Sequence, residues 1–261
     1  DLTITQSPIA GTPFGGSHGD EQIVVITVED EAGNISTCEF VLTLVDEEDP
    51  TIDCSAINTS RVADIGACSF TMPGSGFDPS FDDNCAATIS HDYVFAPNTN
   101  TLAGASFPVG DTDVTWTVTD ENGNTAECSI TISVTDEEFP VFVNCPEDLV
   151  VNNDPGLCGA NPVWSIPVAT DNCGIDQFAQ TSGPAPGSYA EVGVHTITYR
   201  VIDLSGNLTE CSFTLTVLDS ELPVISCPVQ FLTQAANADC EWVVPDDVID
   251  ATATDNCGIL T

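Results

Sequence analysis

A four-cysteine pattern that recurs along the chain is the feature that most constrains its fold. Equivalent positions lie 90 and then 83 residues apart, as Pro50, Pro140 and Pro223 show. A period of this size indicates tandem copies of a small domain. The pattern predicts the C-terminal part of one repeat at 1–48, complete repeats at 49–138 and 139–221, and the N-terminal part of a further repeat at 222–261.

All twelve cysteines share this register, which predicts a disulfide framework. Small domains can bury only part of their surface and often need cross-links, which cysteines at fixed spacings supply. Structural zinc sites are the alternative, but the C-x-x-C pairs that they usually contain are absent. Disulfides imply an oxidising compartment and therefore an extracellular or cell-surface location. In chain order the sets are Cys38; Cys54, Cys68, Cys85 and Cys128; Cys145, Cys158, Cys173 and Cys211; and Cys227, Cys240 and Cys257.

The charge balance restricts the partners of the chain. Forty-one acidic residues face only Arg61 and Arg200, with no lysine, and the net charge is −39. Nucleic acid and anionic membrane surfaces carry the same sign and are excluded as direct partners. Divalent cations are the expected counterions, although solubility alone explains most of the individual carboxylates.

Targeting and membrane-spanning segments are absent from the sequence. No apolar run approaches the ~20 residues of a membrane span, so direct membrane insertion is not expected. No signal peptide is present either. Joining residue 261 to residue 1 would keep the cysteine spacing of the complete repeats. We therefore expect a whole number of periods from a longer array, starting and stopping within a domain.

Strand-like alternation dominates the second complete repeat. Valine, isoleucine, threonine and aromatic residues alternate with polar ones, and no helical period persists for three turns. Gly, Asn and Pro separate the short strands, which is typical of an antiparallel β-sandwich. The predicted strands are 148–152, 163–166, 195–202 and 211–217.

Short acidic linkers join the repeats. They read DEEDP at 46–50, DEEFP at 136–140 and DSELP at 219–223. The proline fixes one backbone angle at the start of each repeat, and flexible Gly/Ser tethers are absent. The linkers predict a semi-rigid rod.

The combined motifs of the second complete repeat resemble the hyalin repeat (HYR) domain. They are Cys-Pro at 145–146, D-P-G-x-C at 154–158, Val-Trp at 163–164, A-T-D-N-C-G at 169–174, V-G-x-H-T-I-T-Y at 192–199, D-x-x-G-N at 203–207 and C-x-F-T-L-T-V at 211–217. The resemblance implies tandem immunoglobulin-like antiparallel β-sandwich domains joined end to end. HYR domains occur in extracellular adhesive proteins, such as the long surface adhesins of gliding bacteria in the Bacteroidetes, so the resemblance also implies a bacterial cell surface. The first complete repeat departs from the pattern, with a longer loop at 78–85.

Sandwich topology predicts calcium sites at the junctions. The acidic linker, the loop after the second strand and the turn before the last strand should meet at one pole. Calcium takes six to eight oxygen ligands in irregular geometry and suits this arrangement better than zinc or magnesium. In the alternative interpretation each aspartate caps its own turn, which leaves the acidic linkers unexplained. The predicted ligands are Asp46, Glu48, Asp83 and Asp120; Asp136, Glu138, Asp171 and Asp203; and Asp219 and Asp255, with a partner equivalent to Asp30 from the next segment.

Four cysteines per domain allow three disulfide pairings. We expect Cys145 to pair with Cys211, because the first and last strands run parallel at one edge in many sandwiches. Cys158 would then pair with Cys173. By analogy the remaining pairs would be Cys54–Cys128, Cys68–Cys85 and Cys240–Cys257, with Cys38 and Cys227 left for neighbouring segments.

Other residues indicate a scaffold rather than an enzyme. Trp116 and Tyr199 occupy one repeat position, where Ile26 stands earlier, and are expected in the core. His18, His91 and His195 are scattered and form no catalytic pattern.

The predicted function is an adhesive or structural segment of an extracellular filament or giant surface adhesin, with neighbouring copies or repeats as partners. One alternative is a module that binds carbohydrate or protein through loops such as 98–104. Another is a set of accessory repeats in a secreted enzyme.

Overall fold

Period-2 alternation produces an all-β chain in the computed structural model, which describes residues 1–227, 235–241 and 251–258. The chain divides into two units, Asp1–Glu137 and Glu138–Thr261. The predicted segment 222–261 lies partly outside the described residues. The described residues contain no helix that is long and apolar enough to cross a membrane.

The first unit contains a three-stranded sheet followed by a complete sandwich. In the first sheet, β2 lies between β1 and β3 and pairs antiparallel with both. The sandwich has a four-stranded sheet of order β5-β11-β10-β8 and two smaller pairs, β4–β7 and β6–β9. The strands are β1 Thr3–Ser7, β2 Glu21–Glu29, β3 Ile35–Thr43, β4 Thr51–Asp53, β5 Ser60–Val62, β6 Ser69–Thr71, β7 Ser80–Asp82, β8 Ala87–His91, β9 Ser106–Pro108, β10 Gly110–Asp120 and β11 Thr125–Thr135.

The core of this sandwich lies between its four-stranded sheet and the facing segments. On β10, Val114, Trp116 and Val118 are fully buried, while the threonines between them are only partly buried. Phe77 and Phe107 pack from the opposite side, edge to face, with ring centroids 5.5 Å apart. The core position predicted for Trp116 is confirmed.

The second unit repeats this architecture. Its four-stranded sheet has the order β13-β19-β18-β16, beside the pairs β12–β15, β14–β17 and β20–β21. Its strands are β12 Val141–Phe142, β13 Leu149–Asn152, β14 Gly159–Ala160, β15 Ala169–Thr170, β16 Ile175–Ser182, β17 Ala190–Glu191, β18 Gly193–Asp203, β19 Leu208–Leu218, β20 Val224–Ser226 and β21 Thr252–Thr254.

A tryptophan–tyrosine pair organises the core of the second unit. Tyr199 is 2% exposed and stacks on Phe178, with ring centroids 5.8 Å apart. Trp164 Nε1 donates a hydrogen bond to the Tyr199 hydroxyl at 3.0 Å, and its ring meets Phe213 edge to face. The buried hydroxyl thus has a donor partner, as a polar group in a core requires.

One prediction of local structure is wrong, and one strand is missing from the predictions. Residues 163–166 form no strand: Val163 and Ile166 are exposed, and the segment is anchored by the Trp164 side chain instead of by backbone pairing. Conversely, β16 was not predicted. It pairs with β18 through two register shifts, which interrupt the alternation that would have identified it.

The edge pairing explains how each sandwich closes. β5 runs parallel to the end of β11, and β13 runs parallel to the end of β19. The second strand of each complete repeat, β5 or β13, therefore lies beside its last strand, which brings the cysteine before that second strand close to the cysteine on the last strand.

Candidate metal centres at the repeat junctions

The D-x-x-G-N turn of the first complete repeat holds its aspartate firmly. Asp120 Oδ1 accepts hydrogen bonds from the backbone N–H groups of Asn122, Gly123 and Asn124 at 2.9, 2.7 and 2.8 Å. Oδ2 accepts one from the Asn124 side chain at 2.8 Å. Gly123 has a φ of 93°, a conformation that other residues rarely adopt. The motif therefore forms a turn and also binds the aspartate carboxylate through four hydrogen bonds.

These hydrogen bonds keep Asp120 ionised although it is only 7% exposed. Burial raises the pKa of this carboxyl, but the hydrogen bonds from Asn124 and then from the backbone of the turn outweigh burial. The net pKa is below the ordinary value for aspartate. The turn thus presents a fixed negative charge in a buried position.

The same turn also forms hydrogen bonds with the linker that precedes the repeat. Asn122 Nδ2 donates to the backbone oxygen of Asp46 at 2.6 Å, and Asn124 Nδ2 donates to that of Glu48 at 3.2 Å. The backbone N–H of Asp46 donates to His18 Nδ1 at 3.1 Å. The linker is therefore held by side chains from both of the repeats that it joins.

Three carboxylates converge at this junction, one from each predicted element. Asp46 comes from the linker, Asp83 from the loop after β7, and Asp120 from the turn between β10 and β11. An oxygen atom of each lies within 4.8 Å of the others. The topology therefore brings together three of the four residues expected here.

Two of these oxygens are buried without a hydrogen-bond partner. Asp46 is 3% exposed, and its Oδ1 accepts the N–H of Glu48 at 3.3 Å, but its Oδ2 has no partner among the described residues. Asp83 Oδ2 accepts the N–H of Cys85 at 3.0 Å, whereas its Oδ1 is likewise buried and unpaired. Buried carboxylate oxygens are normally hydrogen-bonded or bound to a cation. We call this cluster of Asp46, Asp83 and Asp120 the first acidic junction.

The chemistry of the first acidic junction fits a hard divalent cation. Three like charges within 4.8 Å repel one another unless a positive charge lies between them. All three offer oxygen, and calcium accepts oxygen ligands in irregular arrangements. Cys85 lies beside the cluster, and burial first and the Asp46 carboxylate second raise the pKa of its thiol. Sulfur is a soft ligand that suits a hard cation poorly, so the expected donor set consists of oxygens.

The D-x-x-G-N turn of the second unit binds its aspartate in the same way. Asp203 is 1% exposed, and its Oδ1 accepts the N–H groups of Ser205 and Asn207, both at 2.8 Å. Asn207 Nδ2 donates to Asp203 Oδ2 at 2.9 Å and to the backbone oxygen of Glu138 at 2.8 Å. The carboxylate of Asp171 lies within 4.8 Å of that of Asp203, and its Oδ2 is buried and unpaired among the described residues.

The remaining predicted ligands occupy other environments. Asp136 is 6% exposed near the end of the first unit. Asp219 and Asp255 lie together in the second unit, beside the sulfur of Cys257. Asp30 has the same turn as Asp120, and hydrogen bonds, foremost from the Asn34 side chain, lower its pKa, but no acidic cluster surrounds it in the described part of the chain.

The side chains of the linker glutamates are not in the described clusters. Glu48 is exposed, Glu138 is half-buried, and each accepts an asparagine hydrogen bond through its backbone oxygen. The first linker aspartate, Asp46, thus joins the cluster through its carboxylate. Glu48 and Glu138 instead accept hydrogen bonds through their backbone oxygens.

The structure bonds Cys54 to Cys128 and Cys145 to Cys211, with Cα atoms 6.2 and 5.8 Å apart. These are the pairings expected from the parallel edge strands. Each bond closes one sandwich, because it ties the segment between the first two strands to the last strand.

The predicted pairings of the second and third cysteines are wrong. Cys158 bonds to Cys257, with Cα atoms 4.6 Å apart, and not to Cys173. Cys85 and Cys240 are free thiols in this structure, so neither Cys68–Cys85 nor Cys240–Cys257 forms. Cys68 and Cys173 are themselves disulfide-bonded. Cys158 follows a turn that contacts the next repeat within the second unit, so its bond reaches that repeat instead of its own third cysteine.

Near the Cys158–Cys257 bond, further hydrogen bonds join the complete repeat to the linker that follows it and to the next repeat. Asn256 Nδ2 donates to the backbone oxygen of Leu157 at 2.8 Å. The N–H of Gly156 donates to Glu221 Oε1 at 2.7 Å. Asn153 Oδ1 accepts hydrogen bonds from the N–H and hydroxyl of Ser220 at 3.0 and 3.1 Å. This junction is therefore fixed covalently as well as by polar contacts.

The loop at 98–104, considered as a ligand-binding loop, is anchored to its own domain. Leu102 is fully buried, and its N–H donates to Asp78 Oδ1 at 2.9 Å. Thr101 donates its hydroxyl to Asp78 Oδ2 at 2.6 Å, and its backbone oxygen contacts His91 Nε2 at 3.2 Å. The centre of the loop thus serves the core of the sandwich.

Comparison with known proteins identifies relatives of the chain. A sequence model of the HYR domain matches residues 45–134 and 135–217. Hyalin of Strongylocentrotus purpuratus is 32% identical over 236 residues, which cover 87% of this chain and 18% of that protein. Hyalin of Lytechinus variegatus is 30% identical over 217 residues, with coverages of 79% and 38%. The chain thus spans well under half the length of either hyalin.

Solved structures resemble the chain more distantly. The extracellular domain of protocadherin gammaB4 has a TM-score of 0.36 and 15% identity, covering 97% of this chain and 50% of that chain. The human CDH23 fragment EC21-23 has a TM-score of 0.34 and 15% identity, with coverages of 75% and 74%.

Proposed function

Because this chain belongs to the HYR domain family, we propose that it is a structural and adhesive repeat segment of an extracellular filament or cell-surface adhesin, stiffened by calcium. Its task is mechanical: to transmit force along consecutive sandwiches and extend an adhesive surface away from its anchor. Its partners are neighbouring repeats or copies of the same kind.

The fixation of the repeat junctions is the observation that carries this proposal. At one junction, asparagines of the D-x-x-G-N turn hold the linker backbone of Asp46 and Glu48. At another, the Cys158–Cys257 bond crosses from one repeat to the next. A freely swivelling string of domains needs neither feature, whereas a force-bearing shaft needs both.

Calcium is the cation that we propose for these junctions. In support, the first acidic junction combines three carboxylates with two buried oxygens that lack partners among the described residues. The ligands come from the linker and from two loops of the following sandwich, so a bound ion would tie the linker to that sandwich. Asp46, Asp83 and Asp120 would hold the ion, and a net charge of −39 would attract it.

Disulfides support an extracellular location. Eight cysteines are disulfide-bonded, and such bonds persist in oxidising compartments. The setting of a gliding bacterium stays a prediction that depends on the sequence motifs alone.

Calorimetric titration of the oxidised protein tests the calcium proposal. Calcium is expected to bind at the junctions, and magnesium more weakly, because magnesium is smaller and demands a regular octahedral shell. The Asp46→Asn/Asp83→Asn variant supplies the matched comparison, since it removes two ligands and leaves the Asp120 turn intact. The proposal would be contradicted if the heat released on adding calcium equalled the heat of dilution. It would also be contradicted if the variant gave the same binding heat as the unsubstituted protein.

A further inference from the structure

The sequence contains a single asparagine followed by glycine, and this pair lies in the turn that binds Asp120. The pair is Asn122 and Gly123. Asparagine is a chemically labile residue, and a following glycine leaves it least protected, because glycine has no Cβ to shield its backbone nitrogen. The corresponding residues of the other two D-x-x-G-N turns are Ala32 and Ser205. The motif itself therefore does not require the labile pair.

Water has free access to this pair. Asn122 and Gly123 are both exposed, and a Cβ placed on Gly123 would meet no atom within 4 Å. Deamidation of asparagine needs water for its final step. Access of solvent therefore does not limit the reaction at this turn.

Hydrogen bonds restrain both of the groups that must react. The nucleophile would be the Gly123 nitrogen, whose N–H donates to Asp120 Oδ1 at 2.7 Å. The leaving group would be the Asn122 side-chain nitrogen, which donates to the backbone oxygen of Asp46 at 2.6 Å. A carboxylate that accepts this N–H opposes the loss of its proton, because the negative charge that would result lies beside another. The closed turn thus protects the pair that it contains.

We infer that Asn122 is a deamidation site that the closed junction protects and that reacts when the turn opens. Exposed turns open locally at a much smaller free-energy cost than global unfolding. Each opening frees the Gly123 N–H and the Asn122 amide together. The extent of reaction therefore records how long the junction has spent open. This inference goes beyond the proposed shaft function and depends only on hydrogen bonds within one unit of the chain.

The reaction needs only hydroxide and water. Hydroxide removes the proton from the Gly123 nitrogen, and that nitrogen attacks Cγ of Asn122. The new C–N bond closes a succinimide ring while the bond from Cγ to the side-chain nitrogen breaks. That nitrogen takes a proton from water and leaves as ammonia, which regenerates hydroxide. Water then adds to either ring carbonyl and opens the ring, so that aspartate or isoaspartate replaces the asparagine.

The modification removes a contact that holds the linker. A carboxylate cannot donate the hydrogen bond that Asn122 gives to the backbone oxygen of Asp46, and it brings a negative charge against that oxygen. Isoaspartate also inserts a methylene group into the backbone between N–H groups that converge on Asp120 Oδ1. A junction that has reacted is therefore held less firmly than before.

Ageing of the folded protein tests the inference. Folded and urea-denatured samples are incubated in the same mildly alkaline buffer and cut with pepsin, whose acidic conditions stop further reaction. Mass spectrometry then follows the conversion of each asparagine amide to an acid. We expect Asn122 to react faster than any other asparagine in the denatured sample, and several-fold more slowly in the folded sample.

Hydrogen exchange measures the consequence for the linker. Reacted protein carries an additional negative charge and can be separated from unreacted protein by anion exchange. The backbone amides of Glu48 and Gly123, which donate to Asp46 and Asp120, are expected to exchange faster in the reacted protein. Equal exchange in the two forms would overturn the inference that deamidation loosens the junction.

Two variants keep the ageing test interpretable. Asn122→Ser copies Ser205 of the second unit and should abolish the conversion assigned to this turn. Asp120→Ala removes the acceptor of the Gly123 N–H and should raise the rate in the folded protein, with protection of β10 and β11 amides as the check on folding. Equal rates in folded and denatured protein, an unchanged rate in folded Asp120→Ala, or a faster reaction at another asparagine would each overturn the inference. Calorimetry with calcium measures a separate property, so failure of either proposal can be distinguished from failure of the other.

Discussion

Replacement of Asp120 by alanine is expected to abolish calcium binding at the first acidic junction and to loosen the turn between β10 and β11. The carboxylate accepts four hydrogen bonds within the turn and also supplies one of the three converging oxygens. Residues that merely orient metal ligands change affinity by about 10–100-fold, so loss of a ligand that also holds its loop should exceed that range. Calorimetric titration measures the affinity directly.

Two companion variants separate charge from turn structure. Asp120→Asn keeps an acceptor for the three backbone N–H groups but loses the negative charge, so it should weaken calcium binding while disturbing the turn less. Asp113→Asn removes one charge from an exposed position of the same strand and should leave the affinity nearly unchanged. Equal effects of Asp113→Asn and Asp120→Asn would show that overall charge, and not the junction, determines binding.

Removal of the Cys54–Cys128 bond by a double alanine substitution should destabilise one sandwich and spare the other. The bond links residues 74 positions apart, and disulfides of this kind stabilise by about 2–4 kcal/mol. Cys128 lies opposite Trp116 in the sheet, beside the core. Amide hydrogens of β10 and β11 are therefore expected to exchange about 30- to 700-fold faster, the equivalent of that energy.

The second unit supplies the internal control for this measurement. Exchange of β18 and β19 should be unchanged in the Cys54→Ala/Cys128→Ala protein, and the reciprocal Cys145→Ala/Cys211→Ala protein should reverse the pattern. Unchanged exchange of β10 and β11 would mean that the bond contributes little. Faster exchange in both units would mean that the sandwiches do not unfold independently.

Features with a local or repeated cause were predictable from the sequence. The alternation around Tyr199 predicted the long core strand of the second complete repeat, because one face of that strand must be buried, and the repeat register placed Trp116 at the equivalent core position. The D-x-x-G-N motif identified the turn of Asp120, because its glycine takes a backbone angle that other residues avoid. The parallel edge strands then indicated the pairing of Cys54 with Cys128.

Features that depend on the next repeat were not predictable from a single period. The Cys158–Cys257 bond joins residues 99 positions apart, and a four-cysteine set treated as one domain does not contain it. The charge of the linker glutamates favours them as ligands, but Glu48 accepts its hydrogen bond through its backbone oxygen. Trp164 favoured the wrong strand prediction, because an aromatic residue near valine and isoleucine is typical of a strand, whereas here the side chain of Trp164 anchors the segment without backbone pairing.

Small-angle X-ray scattering with calcium and with chelator tests the central claim, that calcium at the acidic junctions fixes neighbouring repeats, most directly. The oxidised protein is expected to have a larger maximum dimension and a stiffer profile in calcium than in chelator, with the same far-ultraviolet circular dichroism in both. The Asp46→Asn/Asp83→Asn variant should respond less. Scattering curves of the unsubstituted protein that superimpose with and without calcium would contradict the claim.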